Sequence, residues 1–182
     1  MWCCSGLMSD TKAVDGDLHE VAGPFEGLSR RTRIKEGRTT VHIEFFDVSE
    51  IPDRCLAFAV IVARHRGRWI FCRHRDRETW EIPGGTREPG EAILETARRE
   101  LWEETGAKDG EIRPICVYAV CRGGEKSYGL LSFAEIHRMA PLPGFEIETI
   151  RPFDRLPDQL TYPEIQPFLF RRVLADLQMP ER

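Results

Sequence analysis

From Thr39 to Phe46 the chain alternates, with Val41, Ile43 and Phe45 on one face and His42, Glu44 and Phe46 on the other, the two-residue period of a half-buried strand. Cys55 to Arg64 (CLAFAVIVAR) is apolar almost throughout and predicts a central buried strand. HRGR turns at Gly67, and WIFCRH, Trp69 to His74, predicts the hairpin partner. A short TWEIP run leads to Gly84 and Gly85. Between Glu91 and Glu104 no Gly or Pro interrupts a stretch rich in Glu, Ala, Leu and Arg, which predicts a helix. At about 100° per residue Ile93, Leu94, Ala97 and Leu101 form one apolar stripe, and Glu100, Glu103 and Glu104 an adjoining acidic arc. Gly106 supplies a C-terminal stop. Residues 111 to 121 and 127 to 136 read as strands around a turn at Gly123 and Gly124, PLPG at 141 to 144 as a loop, and Phe145 to Phe153 as a further strand. Leu169, Val173, Leu174 and Leu177 recur at helical spacing within Pro163 to Leu177, which confines Pro167 to the first turn or to the residues before it. Residues 1 to 36, with a basic cluster at Arg30, Arg31 and Arg33, show no clear period and are expected to be a flexible extension before a domain at 37 to 182. This order of elements implies an α/β or α+β domain.

Composition narrows the setting. With 41% hydrophobic and 31% charged residues in 182 positions, the chain suits one domain with a sizeable core. A net charge of -4 and a pI near 5.8 argue against broad nonspecific binding to nucleic acid, and point to phosphates held locally. No apolar run reaches membrane-spanning length, and MWCCSGLMSDTK lacks the build of a signal peptide. Cys55, Cys72 and Cys116 lie in apolar strand-like runs, where cysteine acts as a small buried hydrophobe. A zinc site from Cys72, His74, Cys116 and Cys121 has atypical spacing, and a reducing cytoplasm is the simpler inference. Arg64, Arg66, Arg68, Arg73, Arg75 and Arg77, with His65, Trp69 and His74 between them, offer either a solvated hairpin or a holder for a triphosphate or an RNA 5′ end.

The acidic arc carries the chemistry. Three carboxylates beside an apolar stripe repel one another and resist desolvation, a penalty that a hard divalent cation removes. Mg²⁺ takes oxygen ligands and bridges carboxylates to phosphates, and Mn²⁺ would also fit. Arg99, one turn before Glu103, is placed to orient a neighbouring carboxylate, while Glu91 suits the helix N-terminus and is within reach of the cation cluster. Gly84 and Gly85 permit the tight turn that brings a carbonyl near the metal. For Glu95 and Arg98 the expectation is an ordinary surface charge.

Gly85, Glu91, Arg99, Glu100, Leu101, Glu103, Glu104, Gly106 and Ala107 together match the Nudix box: Gly, five free residues, Glu, seven free residues, then Arg-Glu-apolar-x-Glu-Glu-x-Gly-apolar. The chain therefore resembles the Nudix hydrolases. That resemblance implies a mixed β-sheet sandwiched between helices and hydrolysis of a diphosphate bond by water, assisted by Mg²⁺ or Mn²⁺. It assigns Gly85, Glu100, Glu103 and Glu104 to the metal and places Arg99 among them in an orienting role; the candidate substrate contacts are Gly84 and, from the basic hairpin, Arg64 and Arg73. A general base often lies outside the box; Glu146 is the first candidate, Glu148 the second, and a box glutamate the alternative. WEIPGG, the strand pair from Cys55 to His74, and FDRLP resemble the MutT branch, which turns nucleoside triphosphates, 8-oxo-dGTP among them, into monophosphate and pyrophosphate. The chain has no asparagine, the residue with which well-known MutT enzymes read the oxidised purine, so that task passes to Gln159, Gln166, an aspartate or the backbone. The proline and tyrosine that mark ADP-ribose and dinucleoside polyphosphate hydrolases are absent from their places near Cys121 to Glu125. Pyrophosphate removal from an RNA 5′ triphosphate is the rival activity. A sensor that has kept the fold and lost the chemistry fits poorly with a complete set of box carboxylates.

Overall fold

A computed structural model describes residues 41–180 and, through its backbone, the strand at Thr32–Arg33. The rest of the expected N-terminal extension lies outside the described residues. In chain order the elements are β1 (Thr32–Arg33), β2 (His42–Phe46), β3 (Leu56–His65), β4 (Arg68–His74), β5 (Gly84–Thr86), α1 (Ile93–Thr105), β6 (Ala107–Arg122), β7 (Glu125–Met139), β8 (Ile147–Phe153) and α2 (Gln166–Asp176). The strands form one sheet in the order β1-β2-β6-β7-β3-β4-β8, and β5 pairs with β3. β3 runs parallel to β7, whereas the remaining pairings are antiparallel, so the sheet is mixed.

Strand periodicity then sorts side chains between two cores. Ala59, Ile61 and Ala63 of β3 and Ile70 of β4 pack with Ile93, Ala97 and Leu101 of α1. On the opposite face Val62, Trp69 and Phe71 pack with Leu169, Phe170, Val173 and Leu174 of α2. The sheet is thus sandwiched between the two helices, as the resemblance implied. Pro167 sits in the first turn of α2. β6 and β7 run longer than the periodicity indicated. Their register slips between Pro114 and Cys116, next to a residue with no N–H for the ladder.

α1 starts at Ile93, two residues later than expected, because its cap comes from elsewhere. Ala92 has no side-chain acceptor, but Asp53 Oδ1 accepts the Ile93 N–H at 3.1 Å and Glu95 Oε2 accepts the Ala92 N–H at 2.7 Å. Arg87 braces this junction, donating to Asp53 Oδ2 and to the Glu91 carbonyl, each at 2.6 Å. At the other end Gly106 closes the helix at φ 72°, with its N–H on the Trp102 carbonyl. A Cβ there would run into the Ala140 carbonyl oxygen.

Candidate active site

Arg99 sits at the centre of the acidic ridge. Its Nε and Nη2 grip Glu91 at 2.7 and 3.1 Å, Nη1 reaches Glu100 at 2.8 Å and Glu103 at 3.1 Å, and Nη2 also donates to the Thr86 carbonyl at 3.0 Å. One guanidinium therefore ties helix α1 to strand β5 and to Glu91, two residues before the helix. A planar fork with five donors can do this, and an ammonium cannot. The Arg99 bond holds the Glu91 carboxyl down at about 2, assisted by the Glu88 N–H and the Thr96 hydroxyl. Arg99 itself is raised above its ordinary value, first by Glu91.

Glu104 stands apart from this network. Its Oε2 accepts the Gly84 N–H at 2.8 Å and the Cys72 thiol at 3.4 Å, and it has no ion-pair partner among the described residues. Desolvation pushes its carboxyl up to about 8, against the pull of the Gly84 N–H. Glu100 is also raised, chiefly by burial, with Arg99 opposing. The Glu100 carboxylate lies against the bare Cα of Gly85, where any Cβ would collide with it.

On the α2 side of β5 a cleft of about 760 Å³ opens, with Gly84, Gly85 and Thr86 in its wall. Phe58, Val60, Tyr118, Val120, Ile165 and Leu169 supply its apolar lining, and Glu81, Arg122, Tyr162 and Gln166 its polar groups. Gln166 is 4% exposed, and its buried Oε1 has no hydrogen-bond partner among the described residues. β5 is therefore a partition between the ridge and a nucleotide-sized cleft.

The expected site residues divide accordingly. Gly84, Gly85, Arg99, Glu100, Glu103 and Glu104 are brought together. Arg64 is not: it pairs with Glu135 at 2.7 Å and reaches Met179 Sδ at 3.4 Å, four residues, or about 13 Å, along β3 from the pairing with Gly84. Arg73 pairs with Glu148 at 2.8 Å and lies over the Trp80 ring. Neither arginine lines the cleft, since their positions on β3 and β4 send them to ion pairs at the sheet's α2 face. Glu146 is 81% exposed and lies 3.6 Å from His74. Gln159 is exposed, and its backbone carbonyl accepts the Trp80 N–H. Cys72 points to Glu104 while Cys116 packs in the α2 core, so two of the four candidate zinc ligands face opposite sides of the sheet. Glu95 and Arg98 are exposed. Tyr118, Arg122, Tyr162 and the wall residue Glu81 escaped the sequence reading. Their gathering depends on a cross-strand register that no local pattern encodes.

The NUDIX domain profile matches residues 53–169, well over half of the chain. The chain belongs to the Nudix family. Its hydrolases act on phosphoanhydride bonds and work with a divalent cation. Among relatives, a Bacillus subtilis protein named as a candidate 8-oxo-dGTP diphosphatase, YtkD, is 33% identical over 103 residues, 56% of this chain and 64% of that protein. A MutT-like protein of Streptomyces ambofaciens is 40% identical over 57 residues, 31% and 37% of the two chains. These matches span less than two thirds of either relative. Among solved structures, the B. subtilis pyrophosphohydrolase BsRppH superposes with a TM-score of 0.67 at 23% identity, over 82% of this chain and 99% of that one. A Nudix hydrolase of Nitrosomonas europaea gives 0.53 at 17% identity, over 68% and 90%. At such identities the likeness is one of fold.

The Nudix ridge fits a divalent cation by its donor chemistry. It offers hard oxygens, and two of its carboxylates are desolvated, with Glu104 lacking a cationic partner among the described residues. Among the described residues no three His, Cys, Asp or Glu side chains are already drawn into a cage. Arg99 occupies the space between Glu91, Glu100 and Glu103. No described helix is long and apolar enough to cross a membrane.

Proposed function

We propose that this Nudix protein is a pyrophosphohydrolase that converts a nucleoside triphosphate to monophosphate and pyrophosphate, with 8-oxo-dGTP as the foremost substrate and Mg²⁺ or Mn²⁺ as the cation. The observation that carries this reading is the partition: Gly84–Thr86 has the acidic ridge on one side and the 760 Å³ cleft on the other. A nucleoside in the cleft directs its phosphates across β5 to Glu100, Glu103 and Glu104. The cation, held by these carboxylates and the Gly85 carbonyl, would neutralise phosphate charge and activate water. Arg99 keeps the carboxylates in register, and Gly84 and Gly85 admit phosphate close to the backbone. Glu146, exposed just before β8, is the proposed proton acceptor outside the ridge.

Gln166 is the proposed reader of the base. A buried carboxamide oxygen without a partner accepts an N–H, and an 8-oxopurine presents such a donor at N7 where guanine presents an acceptor. The MutT-like and 8-oxo-dGTP names of the relatives agree with this substrate. A second reading, pyrophosphate removal from an RNA 5′ triphosphate, is favoured by the exposed rim at Arg122, Gly123 and Glu125, which leaves room for a downstream chain.

The test is kcat/KM, with products identified, for 8-oxo-dGTP, dGTP, ADP-ribose, diadenosine polyphosphate and triphosphorylated RNA. The proposal requires 8-oxo-dGTP to lead and Gln166→Leu to erase its advantage over dGTP. Preference for ADP-ribose or the dinucleotide rejects the substrate class, and preference for RNA selects the second reading.

A further inference from the structure

Gly129 has no local reason to be glycine. Its backbone lies outside the left-handed region, and it sits inside β7 between Tyr128 and Leu130, where glycine weakens a strand. The reason lies across the sheet. Tyr118 on β6 is its register partner, and a Cβ built at Gly129 would fall 2.6 Å from Cε1, Cζ and the hydroxyl oxygen of the Tyr118 ring. The phenol lies over the space that a side chain would fill.

That space belongs to a row. Tyr118, Gly129, Phe58 and Thr86 are successive register partners across β6, β7, β3 and β5. Tyr118, Phe58 and Thr86 line the cleft, and Thr86 is the residue whose carbonyl Arg99 holds. The row leads from the floor of the cleft to the ridge. Tyr118 is 5% exposed and borders the cleft, so a ring displaced by a side chain at position 129 would move into the cleft.

We propose that Gly129 is a specificity-determining position. By leaving its Cβ space to the Tyr118 ring it gives the cleft a flat aromatic floor, which selects ligands carrying a planar base. The inference rests on the nucleotide reading above and deepens it. A base lying on an aromatic ring gains stacking energy whatever its identity. The floor therefore provides general affinity for a base.

The experiment compares wild type, Gly129→Ala, Tyr118→Leu and the double variant. For each, KM and kcat are measured on the best nucleoside triphosphate, and binding of its monophosphate and of inorganic pyrophosphate is measured by calorimetry. Gly129→Ala and Tyr118→Leu are each expected to raise KM and weaken monophosphate binding about tenfold. In both, kcat should stay within about twofold and pyrophosphate binding should not change. The double variant is expected to lose no more than Tyr118→Leu alone, because both changes act through one ring. Unchanged KM in Gly129→Ala, or losses that add in the double variant, would overturn the proposal. Should Gly129→Ala fail to fold, Tyr118→Leu decides: full monophosphate affinity there overturns it. Wild-type protein that neither binds nor cleaves any nucleotide overturns the functional reading itself, and the floor with it.

Discussion

Replacing Glu104 by Gln in cation-free protein probes the desolvated end of the ridge. The carboxyl is displaced from an ordinary 4.5 to about 8, mainly by desolvation, with the Gly84 N–H opposing and Glu100 reinforcing the rise. Because the folded value lies above the unfolded one, the protonated form is favoured by folding. Its contribution is fully present below pH 4.5 and is lost as pH rises toward 8. Each pH unit corresponds to about 1.4 kcal/mol, so the ceiling is roughly 5 kcal/mol, and relaxation around a partly hydrated group brings the expected loss to about 2–3 kcal/mol. Glutamine is neutral and nearly isosteric, and its oxygen still accepts the Gly84 N–H. Thermal unfolding in chelator, followed from pH 4.5 to 8, should show the two proteins alike at the acid end. Glu104→Gln should lead by about 4–12 °C at pH 8. Adding Mg²⁺ at pH 8 should then raise the melting temperature of wild type more than that of the variant. A gap that stays constant with pH would rule out desolvation of the Glu104 carboxylate as its cause.

Arg99→Lys keeps the charge and loses the fork, so kcat should fall about 100-fold in steady-state assays while the far-ultraviolet circular dichroism spectrum is retained; activity within about twofold of wild type contradicts the orienting role. Asp53→Ala removes the remote cap of α1 and the Arg87 bridge, and should cost about 1–2 kcal/mol in denaturant unfolding; a midpoint equal to wild type would show that Glu95 alone suffices. Glu146→Gln should lower kcat at least about tenfold with Mn²⁺ affinity unchanged. An unaltered kcat there moves proton acceptance to a ridge glutamate.

What the sequence disclosed follows the range of each interaction. Glu100, Glu103 and Glu104 share an arc because helical spacing is local, and the alternation of β2 and the apolar run of β3 were visible for the same reason. β5 was not foreseen as a strand: GGT has neither side-chain pattern nor β propensity, and it pairs because β3 offers an open edge. Arg64 and Arg73 drew attention as cations near a predicted turn. Their partners, Glu135 and Glu148, lie 71 and 75 residues away, and only the folded sheet reveals that both are already engaged. Glu91 lies outside α1 for a similar reason, since its place depends on Arg99 and on a cap supplied by Asp53. Gln166 was open to inference from the missing asparagine, whereas Tyr118 and Gly129 were not, because their relation exists only through the register of β6 and β7.

In the proposed function the ridge and the cleft act together on the phosphate chain of one nucleotide. Phosphorus NMR of the products formed from 8-oxo-dGTP and Mg²⁺ tests this most directly, with wild type and Glu103→Gln run side by side. Monophosphate and pyrophosphate in equal amounts are expected from wild type, and no turnover from a folded Glu103→Gln. Diphosphate with orthophosphate from wild type, or undiminished turnover by Glu103→Gln, would contradict it.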